Sequence, residues 1–220
     1  MRMNLGWAVI ALWIPCSSAY AQESGWAVVA KIGTEGIGAD LHRQIVPNLL
    51  NFRIGGSFFP YSRDFSESDI DYEGELRLAA VPVLLDLYPF KNWFRLEGGL
   101  MINFNEVRAT AVPRQGQISI GDNTYPADLF GQLKGEVKFS RASPYFGLGF
   151  SNPIKKGKRW GVFLDIGAMY HGEGDVTLTT TKAPPPQLLN DLQREERNAE
   201  DEIRKLRFFP IVQFGVSFHF

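Results

Sequence analysis

Three histidines and the acidic residues near them are the side chains best suited to acid–base chemistry in this 220-residue chain. His171 is followed at alternate positions by Glu173 and Asp175, a spacing that would place two carboxylates on the face of a general base. A hydrolase also needs a nucleophile, and no Ser or Thr lies within two positions of His171. His171 is therefore expected to be a polar residue at the rim of a strand.

Neither His42 nor His219 belongs to a His, Cys, Asp or Glu cluster with the spacing of metal ligands. The segment Gly36-Ile37-Gly38 lacks the strand–helix context of a phosphate-binding loop. The sequence accordingly predicts no catalytic residue, no metal site and no cofactor.

The composition excludes several classes of protein. The formal net charge is −1, which gives no electrostatic basis for binding nucleic acid. The 17 Phe, 7 Tyr and 5 Trp are too many aromatic residues for a disordered chain. No apolar run approaches the roughly 18 residues that a membrane-spanning helix needs. What remains is a folded, aromatic-rich chain of single-domain size.

A targeting segment is predicted at residues 1–21. Arg2, the apolar stretch Leu5–Ile14 and the small-residue site Ala19-Tyr20-Ala21 match the three regions of a secretory signal peptide. Cleavage after Ala21 leaves residues 22–220 and removes Cys16, the only cysteine, so the exported chain would have no disulfide. The alternative is that Cys16 is a lipidated cysteine, which the preceding Pro15 disfavours.

Strict alternation of apolar and polar residues predicts β-strands. At the C terminus Val212, Phe214, Val216, Phe218 and Phe220 alternate with Gln213, Gly215, Ser217 and His219. The same period of two recurs in residues 50–58, 93–105 and 160–171. These apolar faces approach the 9–11 residues of a strand that crosses a bilayer, so a membrane barrel is favoured over a soluble sandwich.

The polar faces of these strands carry charges of both signs. In a narrow closed barrel such residues face one another and form ion pairs, whereas in a sandwich they face water. The predicted lumen charge network consists of Arg53, Glu75, Arg77, Asp86, Arg95, Glu97 and Asp165. Such a network fills the lumen, and eight strands leave no wide pore.

Eight strands are predicted, because a single-chain bacterial barrel has an even number and both termini in the periplasm. Their ranges are 26–32, 36–45, 48–60, 72–88, 93–110, 135–151, 160–178 and 207–220. Short turns at 46–47, 89–92 and 152–159 would be periplasmic, and longer loops at 61–71, 111–134 and 179–206 extracellular. A hairpin at 33–36 gives eight strands, whereas a single bent strand over 26–44 would give seven strands.

Two interruptions of the strand pattern are expected. The apolar face changes from Leu76 and Leu78 to Val83 and Leu85 across Pro82, which predicts a β-bulge there. After Pro184-Pro185-Pro186, residues 187–206 have leucines at helical spacing among charges, and this predicts one short helix in the last long loop.

Several segments together resemble the small OmpA-like and opacity-type outer-membrane β-barrels. The resemblance is carried by Leu84–Phe90, Phe94–Leu96, Ser143–Gly149 and Phe209–Phe220, in this order along the chain. It implies an all-β fold, an eight-stranded antiparallel transmembrane β-barrel, in the outer membrane of a Gram-negative bacterium. No peptidoglycan-binding domain follows the strands, so anchoring to the cell wall is not implied.

The predicted function is that of a non-catalytic structural or surface-interaction barrel. Phe214, Phe218 and the terminal Phe220 would form the insertion signal, as in bacterial outer-membrane proteins. The expected partners are the barrel-assembly machinery, outer-membrane lipids and lipopolysaccharide, with no nucleic acid and an unidentified external ligand. Two alternatives stay open: a narrow channel for small or hydrophobic solutes, and a lipid A-modifying enzyme.

Overall fold

A computed structural model of the chain describes residues 25–67, 70–113, 116–120, 123–129, 131–154 and 157–220. The predicted signal peptide and Cys16 lie outside these residues. Within them the structure is all-β, with antiparallel strands, one α-helix and a single turn of 3-10 helix at Ala127–Leu129. In this part of the chain no helix is long and apolar enough to cross a membrane.

In chain order, the described residues form thirteen β-strands and one α-helix. They are β1 Trp26–Gly33, β2 Gly36–Val46, β3 Leu50–Glu67, β4 Ile70–Leu87, β5 Phe94–Asn103, β6 Glu106–Pro113, β7 Gln117–Ile120, β8 Asn123–Pro126, β9 Leu133–Lys138, β10 Ala142–Phe150, β11 Trp160–Tyr170, β12 Asp175–Thr180, α1 Pro186–Ile203 and β13 Phe208–His219.

Eight of these strands form a closed ring. Each pairs antiparallel with the next in the order β1, β2, β3, β4, β5, β10, β11 and β13, and β13 pairs back with β1. The hairpin predicted at residues 33–36 is confirmed, because Gly33 lies opposite Gly36 in the β1–β2 ladder. Gly36 has a φ of +90°, and a Cβ there would lie 2.4 Å from the carbonyl oxygen of Phe58, so the turn requires glycine.

The sheet continues beyond the ring at the end away from Trp26 and Phe220. β3 and β4 are 18 residues each, and the outer half of β4 pairs with β6, which pairs with β9 and then β12. β6 follows β5 and β12 follows β11 after a short break, and β9 precedes β10, so the whole sheet contains 11 strands. We call β6, β9, β12 and the outer halves of β3 and β4 the extension.

The extension corrects two expectations. The predicted loop over 61–71 is instead a strand hairpin, since β3 runs to Glu67 and β4 begins at Ile70. The predicted strands 93–110, 135–151 and 160–178 are each broken in two. At the first break, the side chain of Asn103 accepts from the N–H of Asn105, and the side chain of Asn105 accepts from the N–H of Ala79. Side-chain amides thus replace the interrupted ladder.

The predicted helix is present as α1, within residues 186–203, and it packs on the extension. Leu188 and Leu192 of α1 are buried together with Ala111, Ile120 and Tyr125. Ile120 and Tyr125 come from the β7–β8 hairpin, in a region predicted to be loop. The extension therefore has a small hydrophobic core of its own, separate from the ring.

The β-bulge predicted at Pro82 is wrong. The β4–β5 ladder keeps one register from Ala80–Asn103 to Leu87–Leu96, through Pro82 opposite Met101. The β3–β4 ladder lacks two pairs beside Pro82 and resumes without a shift. Proline has no N–H to donate, so it removes ladder hydrogen bonds without adding a residue to the strand.

Candidate functional site: a charged cluster inside the ring

The centre of the ring interior is Arg53, whose guanidinium contacts carboxylates from three other strands. Its Nη1 lies 2.7 Å from Asp165 Oδ2 and its Nη2 lies 2.9 Å from Glu97 Oε2 and 3.1 Å from Asp86 Oδ1. Arg53 is 2% exposed and Asp86 and Asp165 are fully buried. Burying these charges is tolerable only because each one is paired.

Arg95 of β5 is the second cation of this cluster. It donates through Nε to Glu97 Oε1 at 2.7 Å, through Nη2 to Asp165 Oδ1, and through Nη1 to the backbone oxygen of Ser151 at 2.6 Å. The hydroxyl of Tyr145 donates to Glu97 Oε2 at 2.9 Å. A Cβ at Gly149 would lie 2.3 Å from Arg95 Nε, so glycine on β10 makes room for these side chains.

The cluster extends onto β1 and β2, which contribute no residue to the network predicted from the sequence. Lys31 Nζ lies 2.8 Å from Asp40 Oδ1, and His42 Nδ1 lies 3.3 Å from Asp86 Oδ2. The same alternation could have identified them, because Lys31 lies between the outward-facing Ala30 and Ile32. We call the eight residues the lumen cluster: Lys31, Asp40, His42, Arg53, Asp86, Arg95, Glu97 and Asp165.

Five of the seven residues predicted for the lumen network meet in the lumen cluster, and two do not. Glu75 and Arg77 lie on the outer face of β4 in the extension, and both are exposed. Arg77 stacks on the ring of Phe58, 5.9 Å from its centroid. The prediction for these two residues is wrong because it depends on a bulge at Pro82. In an unbroken strand, residues 75 and 77 share a face with Leu85, and Asp86 lies on the opposite face.

A layer of apolar side chains lies next to the lumen cluster. Ala80, Leu84, Met101, Tyr145, Met169 and Ile211 are buried together there. The cavity between this layer and Lys31 and Arg53 has a volume of about 10 Å³. That is the lower limit for a single water molecule. Within the described residues, side chains rather than solvent fill this part of the ring.

The outer surface of the ring is apolar where its interior is charged. Phe146 is 73% exposed, and Phe214 and Phe220 of the predicted insertion signal lie on the same outward surface. Further exposed apolar residues of the ring strands include Ile32, Ile37, Ile54, Leu85, Leu100, Leu148, Val162, Ile166, Val212 and Val216. A continuous apolar surface of this extent marks contact with lipid or with another protein.

His171 and Glu173 have different contact partners. His171 is buried, and its ring lies edge-on to Phe139 with 4.2 Å between ring centroids. Burial lowers the pKa of His171. The Glu173 carboxylate instead pairs with Arg207 at 2.7 Å and with Arg204 at 3.3 Å. Among the described residues no group of three or more His, Cys, Asp or Glu is placed to hold a metal ion.

Two solved structures from Acinetobacter baumannii are similar to this chain. CarO2 superposes with a TM-score of 0.57 at 23% identity, over 89% of this chain and 98% of that one. CarO superposes with a TM-score of 0.54 at 20% identity, over 88% and 97%. The fold is shared with the CarO proteins. No protein-family model matches the chain, and no curated protein sequence matches it. The resemblance to OmpA-like and opacity-type barrels stays a prediction.

Proposed function

We propose that this protein is an outer-membrane β-barrel of a Gram-negative bacterium, with a closed lumen and a structural or surface-interaction role. The observation that carries the proposal is the inverted polarity of the ring. Arg53 and Arg95 are at most 2% exposed inside it, whereas phenylalanine, leucine and valine side chains are exposed outside. Lipid as the surrounding solvent accounts for both facts, since apolar side chains face the bilayer and ions face one another.

The backbone supports the same environment. In hydrocarbon each N–H and C=O group must be bonded within the protein, and a closed ring of strands meets this requirement. The β1–β13 ladder supplies the closing hydrogen bonds along seven residue pairs. Export by the signal peptide at residues 1–21 and recognition of Phe214, Phe218 and Phe220 by the barrel-assembly machinery belong to this proposal.

A closed lumen favours a structural role over conduction. The ion pairs of the lumen cluster and the packed apolar layer beside it support a closed lumen. The extension and α1 then provide the part of the protein available to partners outside the cell, including lipopolysaccharide. A lipid A-modifying activity has no support in the surroundings of His171.

Membrane fractionation combined with gel mobility tests the proposal. The protein should be recovered in the outer membrane and should migrate differently in dodecyl sulfate before and after boiling, because a closed barrel resists the detergent until heated. Recovery as a monomer in buffer without detergent would contradict the proposal.

Two further measurements address the alternative functions. In planar bilayers the purified protein should give no steady unitary current, and a steady current would show an open lumen. The mass spectrum of lipid A should be the same in cells with and without the protein, and a mass shift would indicate an enzyme.

A further inference from the structure

A second site lies in the wall of the ring, at the end that carries Trp26 and Phe220. The β10–β11 ladder ends where Phe150 lies opposite Leu164, so residues 160–163 of β11 have no partner on β10. The chain leaves the sheet at Ser151, whose N–H donates to the carbonyl oxygen of Trp93 at 2.7 Å, and returns at Trp160. A cavity of about 580 Å³ occupies the resulting gap.

Apolar and polar surfaces meet in this cavity. Trp93 and Trp160, which are 60% and 67% exposed, line it together with Val162 and Val216 of the outward face. Ser217, from the lumen face of β13, lines it as well. Each tryptophan also contacts a phenylalanine: Trp93 lies 5.8 Å from Phe150, and Trp160 lies 4.8 Å from Phe218, between ring centroids. Such a surface suits an amphiphile.

The turns at this end of the ring carry positive charge. Lys158 lines the cavity, and Arg159 follows it in the chain. The turn sequence Lys155-Lys156-Gly157-Lys158-Arg159 has four cations in five residues, of which Lys155 and Lys156 lie outside the described residues. None of the turn sequences 47–49, 88–93 and 151–159 contains an acidic residue. This positive charge favours an anionic ligand in the cavity.

We infer that the cavity binds an anionic phospholipid of the periplasmic leaflet. The phosphate lies against Lys158, and an acyl chain covers Trp93 and Trp160. Aromatic residues and cations at the level of the headgroups are the groups that membrane proteins use to contact lipid. A free phosphate would leave both tryptophan side chains uncovered. The inference rests on the proposed outer-membrane location.

Native mass spectrometry of the protein refolded in neutral detergent tests this site. Phosphatidylglycerol and phosphatidylcholine with identical acyl chains are titrated separately, and glycerol phosphate serves as a headgroup without chains. We expect one retained phosphatidylglycerol, bound about fivefold more tightly than phosphatidylcholine, because one cation near an anionic headgroup contributes an effect of this size. Glycerol phosphate should not displace it.

A pair of charge variants locates the site. Lys158→Gln should weaken phosphatidylglycerol binding about fivefold, whereas Lys91→Gln, the same change on the neighbouring turn, should alter it by less than about twofold. Equal binding of the two phospholipids, equal effects of the two substitutions, or displacement by glycerol phosphate would each overturn the inference.

Heat-dependent gel mobility separates this result from the proposed function. Both lysines are exposed, so both variants should keep the mobility shift of the wild type. A wild-type protein that shows the shift but no phosphatidylglycerol preference overturns the lipid site alone. A wild-type protein without the shift overturns the proposed barrel as well.

Discussion

Arg53 is the side chain on which the lumen cluster depends most. It contacts Asp86, Glu97 and Asp165, which come from three different strands, and Asp40 lies 3.9 Å from its guanidinium. Removing one partner of a buried ion pair costs more than the pair contributes, because the remaining charges stay buried without compensation. Four carboxylates would then depend on Arg95 and Lys31 alone.

Replacing Arg53 with methionine should therefore reduce the free energy of unfolding by about 3–5 kcal/mol. Tryptophan fluorescence during urea unfolding in detergent or lipid vesicles measures the change. Arg77→Met is the matched control, since Arg77 is exposed on the outer face of the extension and stacks only on Phe58. Its cost should stay below about 1 kcal/mol. Equal losses would show that the lumen cluster has no special role.

The face of the sheet on which each side chain lies was largely predictable from the alternation of apolar and polar residues. The exceptions have a physical cause. Arg53, Arg95 and Asp165 face inward as expected because a strand of uniform register alternates strictly. The sequence predicts Glu75 and Arg77 inside the barrel because proline in a strand often marks a bulge. Whether a proline shifts the register or only removes a hydrogen bond depends on the neighbouring strands, which the local sequence does not specify.

At the scale of elements, α1 is held to the extension by a small set of buried contacts. Its leucines at positions 188 and 192 are buried against the extension, whereas Leu189 is 45% exposed. The helical period predicted the element itself. The hairpin against which it packs was not predictable. The sequence of β7–β8 is turn-like, and the hairpin is distant from α1 along the chain.

Substitution of Leu192 by alanine should release α1 from the extension. Loss of a buried leucine side chain costs about 2–5 kcal/mol, and for a peripheral helix this cost appears as local opening. Amide hydrogen exchange within 186–203 should accelerate strongly while exchange in the ring strands is unchanged. Leu189→Ala, one residue from the helix face in contact, should leave the exchange near the wild-type rate.

A buried polar contact makes the docking of α1 dependent on pH. Asp191 accepts hydrogen bonds from the hydroxyl of Tyr125 at 2.6 Å and the amide of Asn123 at 2.7 Å, and these lower its pKa from the usual 3.8. A carboxyl whose pKa is lower in the folded state stabilises that state above its unfolded pKa, and this stabilisation is lost as the pH falls through the folded value. Docking should thus weaken below about pH 4.

The measurement is amide exchange in α1, corrected for intrinsic rates, at pH 7 and at pH values below 4. Asp191→Asn should reduce protection at pH 7 and make the further loss in acid smaller than in the wild type; Glu196, which accepts from the N–H of Leu178 at 2.7 Å, accounts for the part that remains. The control is Asp201→Asn, which removes an exposed carboxylate of the same helix that pairs with Arg204 at 3.6 Å. A wild-type helix with constant protection down to pH 2 would contradict the assigned role of Asp191.

For the molecule as a whole, the decisive property is which side of the ring faces the surrounding medium. The period of two predicted the ring strands and the apolar outer surface, since both follow from alternation. The extension was not predicted, because the breaks between β5 and β6, β9 and β10, and β11 and β12 are set by pairing between distant segments. The same polarity allows a test whose result differs between a ring surrounded by lipid and a ring surrounded by water.

Ile166 lies near the middle of β11, on the outward face, and is 46% exposed. Ile166→Arg should reduce the free energy of folding into lipid vesicles by about 2–4 kcal/mol, because a cation at the bilayer midplane must leave water. The control is Leu206→Arg between α1 and β13, where a 66% exposed leucine lies beyond the ring and arginine should cost little. If the ring were surrounded by water, both substitutions would be nearly neutral, and equal folding free energies for the two variants would therefore exclude a lipid-facing surface.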